Sequence, residues 1–516
     1  MIILAKNCSS FVKLPEQQAF FIILNGENMK ELPDTVVIVG AGPSGLFAAR
    51  QLKMLATEQK KEISIIVLER EDVVGGKCRT YSDPENHELK TEWGAALLAP
   101  NYGVVLDAVK EHHLDFEMVL PAQTEDTEFT QYHQQQSFLQ KFSLARAVAQ
   151  ELYTFNQDYA VYKQAKQQKT PLPEYLQQPF SEYAEAKGMK VLPLFAKLFV
   201  PGFGYGAITH CPTYSILEYF GKMTVPDIML SETLLRQPPL LSIKGGFQLL
   251  MEKIAAGFEV RTKVDITKIE RNCNNNDGIR IHYQQNGMEH VLSADALILA
   301  TSPLNWPKMG LDLTEVEKNC VEQLEYYRYP VAVCKIKGLP PKQQYFSEAL
   351  NEEGFGHLAL ITTRDNRTNP EDGRLCTIYV NLPPGKNDYQ IDQDTLCEEI
   401  KKIEGVTKVE FIEEKTWEDY MSTLPWDLRL KLDKEKHHTK THYLGSFALG
   451  SFEDVVCVGN LATDEMRQSY SPSPSFVEDD TVKNMSRAWQ FFSADVYPPV
   501  DSTGSEKNKM SRCIIQ

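Results

Sequence analysis

The stretch TVVIVGAGPSGLFAARQLK at residues 35–53, followed by ISIIVLER at 63–70 and VVGGKCRT at 73–80, decides how the rest of the chain is read. Val36, Val37, Ile38 and Val39 form a β-branched run closed by glycine, the pattern of a strand covered on both faces of a parallel sheet. Gly40, Gly42 and Gly45 make G-x-G-x-x-G, with Pro43 and Ser44 inside it, and an apolar-periodic helix opens at once through Leu46, Ala49 and Leu52. The glycines have separate tasks: a tight turn, backbone approach to a diphosphate, and close helix–strand packing. A diphosphate placed there meets free N–H groups at the positive end of a helix. The next strand ends at Glu69, with Arg70 beside it, where a carboxylate can accept a hydrogen bond from a ribose hydroxyl. The motif therefore predicts an α/β, Rossmann-like domain that holds a dinucleotide.

Bulk properties narrow the function. A formal net charge of −16 argues against nucleic acid as a partner, because phosphate binding draws on clustered lysine and arginine. The ten cysteines are scattered without C-x-x-C, which predicts reduced thiols in a cytosolic compartment and no metal. The pairs His112-His113 and His437-His438 sit in polar stretches with no further ligand at metal spacing. No apolar run approaches the ~18 residues that span a bilayer. Residues 1–30 are expected to be a loosely ordered extension. A G-x-S-x-G elbow is missing, and the single dinucleotide fingerprint disfavours a reductase that binds two dinucleotides.

Beyond the glycine block, Thr91-Glu92-Trp93-Gly94-Ala95-Ala96 is a turn whose N–H groups could face a flavin ring. Helices are predicted within 103–160, and a polar, Gln-rich connector over 163–180. At 201–206, Pro-Gly-Phe-Gly-Tyr-Gly lies between two apolar helices. Phe203 and Tyr205 either pack between those helices or line a cavity in which the glycines leave room for a ligand. A glycine pair at Gly245-Gly246 precedes a helix, a β-meander with a strand over 258–270, and a strand over 294–300 that runs into Thr301. Strands follow at 329–340, 374–384 and 408–417, with a helix over 396–403. A short strand is predicted over 455–460, closing at Gly459 and Asn460, with a helix over 481–492. The expected organisation is a discontinuous nucleotide domain (31–115, 236–305 and 441–497), an inserted mixed α+β substrate domain (116–235 and 306–440), and a tail (498–516).

These motifs resemble the flavin-containing amine oxidase superfamily, nearest to its polyenoic fatty acid isomerases. VVIVGAGPSGL, VLEREDVVGGKCRT, EWGAALLAPNY, FGYG, VDITKIER and EEKTW have counterparts there in the same order, across roughly residues 34–495. GGKC and FGYG are the narrower signals. The resemblance implies noncovalent FAD, a buried apolar pocket, and hydride transfer between a substrate carbon and flavin N5. Lys77, Gly76, Gly94, Ala95 and Thr301 would join Gly40, Gly42, Pro43, Ser44, Gly45, Glu69, Arg70, Gly459 and Asn460 around the cofactor, with the backbone of Val264 at the adenine edge. Phe203 matches an aromatic that lines the isomerases' fatty-acid channel, and aromatic faces would stabilise a cationic intermediate.

Three departures bear on the substrate. The isomerases hold the fatty-acid carboxylate with an arginine, where this chain has Gln123. Relatives place an acid after the late glycine, where this chain has Asn460. Lys335 falls where amine oxidases carry a lysine that holds a water against the flavin, though it could equally be an exposed lysine on an alternating strand, with Lys337 two residues on. The substrate expected is a small apolar molecule or an amine. The reaction is double-bond isomerisation of an unsaturated fatty acid, or oxygen-dependent amine oxidation, or the flavin is bound without catalysis.

The chain ends Cys513-Ile514-Ile515-Gln516, a C-a-a-X pattern that favours farnesylation of Cys513 by a host prenyltransferase. Lys507, Lys509 and Arg512 would each add about 1 kcal/mol of attraction to anionic lipid. The expectation is a lipid-anchored protein on the cytosolic face of a membrane, otherwise cytoplasmic.

Overall fold

The computed structural model describes residues 31–98, 103–120, 122–123, 138–222, 240–271, 278–346, 354–385, 389–450, 452 and 454–471. Cys513 and the helix expected over 481–492 lie outside the described residues, as do residues 1–30.

The nucleotide side is built on a five-stranded sheet in the order Thr441–Tyr443, Ala296–Leu299, Thr35–Val39, Ser64–Leu68, Glu259–Arg261. All its pairings are parallel, with Val36 opposite Ala296 and Ile65, and Leu299 opposite Tyr443. The β-branched run of the first strand has a physical reason. Val36 and Ile38 enter one hydrophobic core with Leu46, Phe47 and Leu52, while Val37 and Val39 enter another with Ile266, Ile281 and Leu297. A strand covered on both faces has no polar position to offer. The second core lies under a three-stranded meander made of Val264–Arg271, Ile279–Gln285 and Met288–Ala294. The single strand expected over 258–270 therefore divides in two. Lys263 turns the corner at φ +56°, so Glu259–Arg261 stays in the parallel sheet and Val264–Arg271 joins the meander.

The substrate side centres on a six-stranded sheet in the order Lys408–Thr423, Glu325–Lys337, Arg374–Val380, Leu358–Thr362, Gln343–Tyr345, Ala122–Gln123. Helices Phe138–Gln168, Leu192–Phe199 and Thr213–Lys222 complete it. The connector expected over 163–180 is only partly loop, because the first of these helices runs on to Gln168. Tyr162 and Ala165 are buried, and the Lys166 ammonium pairs with Glu218 at 3.2 Å, so tertiary contacts hold a polar segment helical.

The strand expected over 455–460 is instead the first turns of helix Val455–Tyr470. Val455, Val458, Leu461 and Ala462 are buried at helical spacing, and Asp454 Oδ1 accepts the Cys457 N–H at 3.2 Å as an N-cap. Thr441–Tyr443 takes the sheet position that the segment was expected to fill.

Candidate functional site

Four of the parallel strands end at one place. Gly40, Glu69, Ala300 and Leu444, each following a strand, line a common cleft, the location where open α/β sheets bind ligands. The cavity has a volume of about 430 Å³ and runs from this strand edge into the substrate side.

At the strand edge the walls are backbone. Gly40 adopts φ +105°, and a Cβ there would lie 2.7 Å from the Ala300 carbonyl oxygen. A Cβ on Gly45 would lie 2.0 Å from the Gly40 oxygen, so helix Pro43–Gln59 can start this close to the strand only without one. Gly42 differs: its nearest neighbour would be the Gly76 Cα at 3.8 Å, leaving open space toward the cavity. Gly42 is the N-cap, no side chain caps the helix, and no acid lies in its first turn. Those free N–H groups are fitted to a diphosphate. Pro43 and Ser44 line the cavity here, as do Gly76, Lys77 and Arg79.

Glu69 Oε2 accepts the Ala41 N–H at 2.8 Å and its Oε1 the Glu71 N–H at 2.9 Å. Burial raises its pKa, and those two backbone N–H groups oppose the rise. Arg70 lines the cleft beside it. The Val264 N–H is spent on the Glu69 carbonyl at 3.0 Å, and Val264 is buried away from the cavity lining.

The turn from Trp93 to Leu97 rests on the second glycine block. The Ala95 N–H donates to the Lys77 oxygen at 3.2 Å and the Trp93 N–H to the Arg79 oxygen at 2.9 Å. A Cβ on Gly94 would stand 2.1 Å from that Lys77 oxygen. Trp417 Nε1 closes the turn from above by donating to the Trp93 oxygen at 2.9 Å. Lys415 stands on the same strand face as Trp417, its ammonium 4.1 Å from the indole centroid. Burial, followed by the Arg79 charge, lowers the Lys415 pKa from the ordinary lysine value. Across the cleft the Thr301 hydroxyl is buried with no hydrogen-bond partner among the described residues.

Toward the substrate side the walls become aromatic. Tyr329 stacks on Tyr379 at 5.3 Å and packs tilted against Tyr420 at 4.6 Å, while Tyr205 stacks on Phe452 at 4.8 Å and on Tyr420 at 6.1 Å. Phe199, Phe203 and Tyr219 complete the chamber. Burial pushes the Tyr219 and Tyr329 phenols well above their usual range, so both stay neutral donors at physiological pH. The FGYG glycines make room for neighbouring side chains rather than for a ligand. A Cβ on Gly204 would lie 2.7 Å from the Tyr329 ring, and one on Gly206 2.6 Å from Tyr327.

Among the residues singled out in sequence, Gly40, Gly42, Pro43, Ser44, Glu69, Arg70, Gly76, Lys77, Gly94, Ala95, Phe203, Tyr205 and Thr301 line this one cavity. Lys335 does not. Its ammonium lies 2.8 Å from Asp83, 3.8 Å from Asp372 and 3.9 Å from Glu85, an ion-pair cluster outside the cavity lining. Gly459 and Asn460 are also displaced, because they sit inside helix Val455–Tyr470. A Cβ on Gly459 would lie 3.0 Å from the Phe47 ring, which marks a crossing with helix Pro43–Gln59. Gly445, at φ +136° after strand Thr441–Tyr443, takes the cavity position expected of them. Gln123 lies on a strand that pairs with Gln343–Tyr345 and does not line the cavity. Sequence reading missed Tyr219, Tyr329, Tyr379, Tyr420, Lys415 and Asp454. Only the i, i+2 spacing of Lys415 and Trp417 in EEKTW could have flagged one of them.

A family model described as flavin containing amine oxidoreductase matches residues 43–309. β-Cyclopiazonate dehydrogenase of Aspergillus flavus is 24% identical over 356 residues, covering 65% of this chain and 70% of that protein. The mitochondrial electron transfer flavoprotein-ubiquinone oxidoreductase of Rattus norvegicus is 37% identical over 112 residues. That match spans 19% of this chain and only 18% of that relative's length. Among solved structures, the CLA-producing fatty acid isomerase from P. acnes superposes with a TM-score of 0.63 at 20% identity, covering 84% of this chain and 98% of that one. A putrescine oxidase triple mutant superposes with a TM-score of 0.60 at 15% identity and the same coverage. At such identities these two structures speak for the fold.

Proposed function

The chain belongs to the flavin containing amine oxidoreductase family and is an FAD-dependent oxidoreductase, and on that premise we propose that it takes a hydride from a carbon of an apolar substrate held in the tyrosine chamber. The observation that carries this reading is the continuity of the cavity, since one space joins the glycine cradle to an aromatic chamber. When bound, FAD supplies the hydride acceptor. The protein's own residues bind and orient. Gly42 and the uncapped N–H groups of helix Pro43–Gln59 would receive the diphosphate, Lys77 and Arg79 would offset its charge, and Glu69 would accept from the ribose. Tyr205, Tyr329 and Tyr420, packed against one another, would wall the chamber around a carbon that becomes electron-poor and keep water from it.

Double-bond isomerisation of an unsaturated fatty acid is the finer reading we propose, supported by the aromatic lining of the chamber and the shared fold of a fatty acid isomerase. Amine oxidation is a second reading with an observation of its own. The cations lining the cavity, Arg70, Lys77, Arg79 and Lys415, gather at the nucleotide end, whereas the buried acid Asp454 faces the chamber. A carboxylate at that end suits an ammonium, and the shared fold of a putrescine oxidase supports the same reading.

The test is to purify the protein, mix it anaerobically with unsaturated fatty acids and with amines, and follow bleaching of the oxidised flavin. Turnover of a fatty acid to a shifted diene without hydrogen peroxide supports isomerisation, and peroxide formed with an amine supports the second reading. A flavin that no ligand bleaches or perturbs defeats both.

A further inference from the structure

Glu92 is a charge in an expensive place. It ends strand Lys90–Glu92, one residue before the turn that walls the cleft, and it is 1% exposed. Its Oε2 accepts the Thr80 hydroxyl at 2.7 Å and its Oε1 the Phe247 N–H at 3.3 Å. Neither partner carries a charge. The counter-charge comes from the substrate sheet: the Arg364 Nη1 donates to Glu92 Oε1, its Nε to Glu117 at 2.5 Å, and its Nη2 to the Ile243 carbonyl at 2.5 Å. Arg364 thus ties strands Lys90–Glu92, Phe116–Met118 and Leu241–Ile243 to the sheet that carries the tyrosines. The same sheet grips the Glu92 segment twice more. Tyr379 donates its hydroxyl to the Glu92 carbonyl at 2.8 Å, and the Thr91 and Thr377 hydroxyls meet at 2.7 Å.

We infer that Arg364 and Glu92 form a positioning pair, which sets the depth at which the turn from Trp93 to Leu97 enters the cleft and so fixes the cofactor against the tyrosine chamber. The inference rests on FAD occupying this cleft. Neither residue lines the main cavity, so neither is a catalytic residue. Both act through the turn, whose carbonyl and N–H groups are fastened to Trp417 on one side and to the glycine block on the other. The pairing has a directional consequence. Burial already raises the Glu92 pKa, and without Arg364 the carboxyl is left uncompensated, so it either draws the strand toward water or takes up a proton and ceases to accept from the Thr80 hydroxyl and the Phe247 N–H together. Without either charge, no such force exists.

The experiment compares the full-length chain with Arg364→Gln, Glu92→Gln and the double variant, reading the FAD dissociation constant by flavin fluorescence, the visible flavin spectrum, and the melting temperature of the apoprotein. Arg364→Gln should weaken FAD binding about 10-fold or more and shift the visible band, and the double variant should return to within about 3-fold of wild type, because an unpaired buried charge rather than a lost contact does the damage. An unchanged FAD dissociation constant in Arg364→Gln overturns the inference, even if the apoprotein melts lower, since that outcome is stability alone. A double variant no better than Arg364→Gln overturns it as well. If Arg364→Gln does not fold, the double variant decides: recovered folding with FAD affinity within about 3-fold of wild type supports the pair, and a double variant that also fails to fold sinks it. Should wild-type protein refuse FAD, the functional reading fails first. Should it bind FAD yet bleach with no substrate while the rescue holds, the pair survives and the substrate reading falls.

Discussion

The two ends of the cavity are built by different means. At the nucleotide end the walls are main-chain atoms from consecutive residues: a strand, a glycine turn and the open end of a helix. At the substrate end the walls are side chains of Tyr205, Tyr219, Tyr329, Tyr379 and Tyr420, each from a different element and separated by up to hundreds of positions in sequence. A dinucleotide diphosphate presents the same shape in every protein that binds it, so a backbone cradle with fixed spacing serves. A substrate chamber must match one molecule's body, and sheet pairing supplies its side chains one strand at a time.

The glycine positions sharpen that contrast most. Gly42→Val should cost roughly 100-fold in FAD affinity while the apoprotein keeps its melting temperature, because the added side chain enters only the space reserved for the diphosphate. Gly45→Val, by contrast, should unfold the domain at upwards of about 3 kcal/mol, since its Cβ has nowhere to go. Calorimetry and fluorescence titration separate the two, and equal behaviour would break the assignment of the open face to a ligand.

At the other end, Tyr329→Ala should lower stability by about 3–5 kcal/mol and substrate turnover with it, yet leave FAD affinity within a few-fold of wild type. Tyr329→Phe loses only the hydroxyl's bond to the Gly202 carbonyl at 3.2 Å, about 1 kcal/mol. A large loss of FAD in either variant would mean that the two ends are not separable.

Lys335→Met gives a smaller effect. Burial pushes the Asp83 carboxyl up, but the Lys335 ammonium and the Glu85 and Asn86 N–H groups outweigh it and hold the pKa below its ordinary 3.8. A depressed folded pKa contributes stability above the unfolded value, and that contribution is lost as pH falls through the folded one. The variant should therefore be about 1 kcal/mol less stable at neutral pH, with the deficit closing in acid, and turnover should be unchanged. Lost turnover in Lys335→Met would restore it to the catalytic machinery. Smallest of all, Gly459→Ala should alter stability by less than about 1 kcal/mol, because helix propensity gains what the contact with Phe47 loses, and it should leave FAD affinity alone. Weakened FAD binding there would return Gly459 to the cofactor.

Residues 35–53 with Glu69 were legible because every part of that chemistry lies within a short stretch whose periodicity passes from 2 to 3.6. Phe203 and Tyr205 were legible as candidates, but what their glycines accommodate was not, since Tyr327 and Tyr329 approach from another strand. The segment 455–460 misled because an apolar run ending in glycine suits a buried strand and a buried helix equally at that length. Only the pairing of Thr441–Tyr443 with Ala296–Leu299 shows that the sheet position is already taken.

From sequence alone came the parallel sheet, the dinucleotide cradle and the kinship with flavoenzymes, because these depend on local backbone geometry and on contiguous residues. Tertiary structure alone decided which lysine of the substrate sheet faces the cavity. Lys335 and Lys415 stand on neighbouring antiparallel strands, and the register sets Lys415 opposite Val331 while Lys335 lies opposite Glu410, farther along the ladder. Alternation along a strand assigns a side chain to a face, but only the pairing of distant strands decides which end of that face meets the cleft.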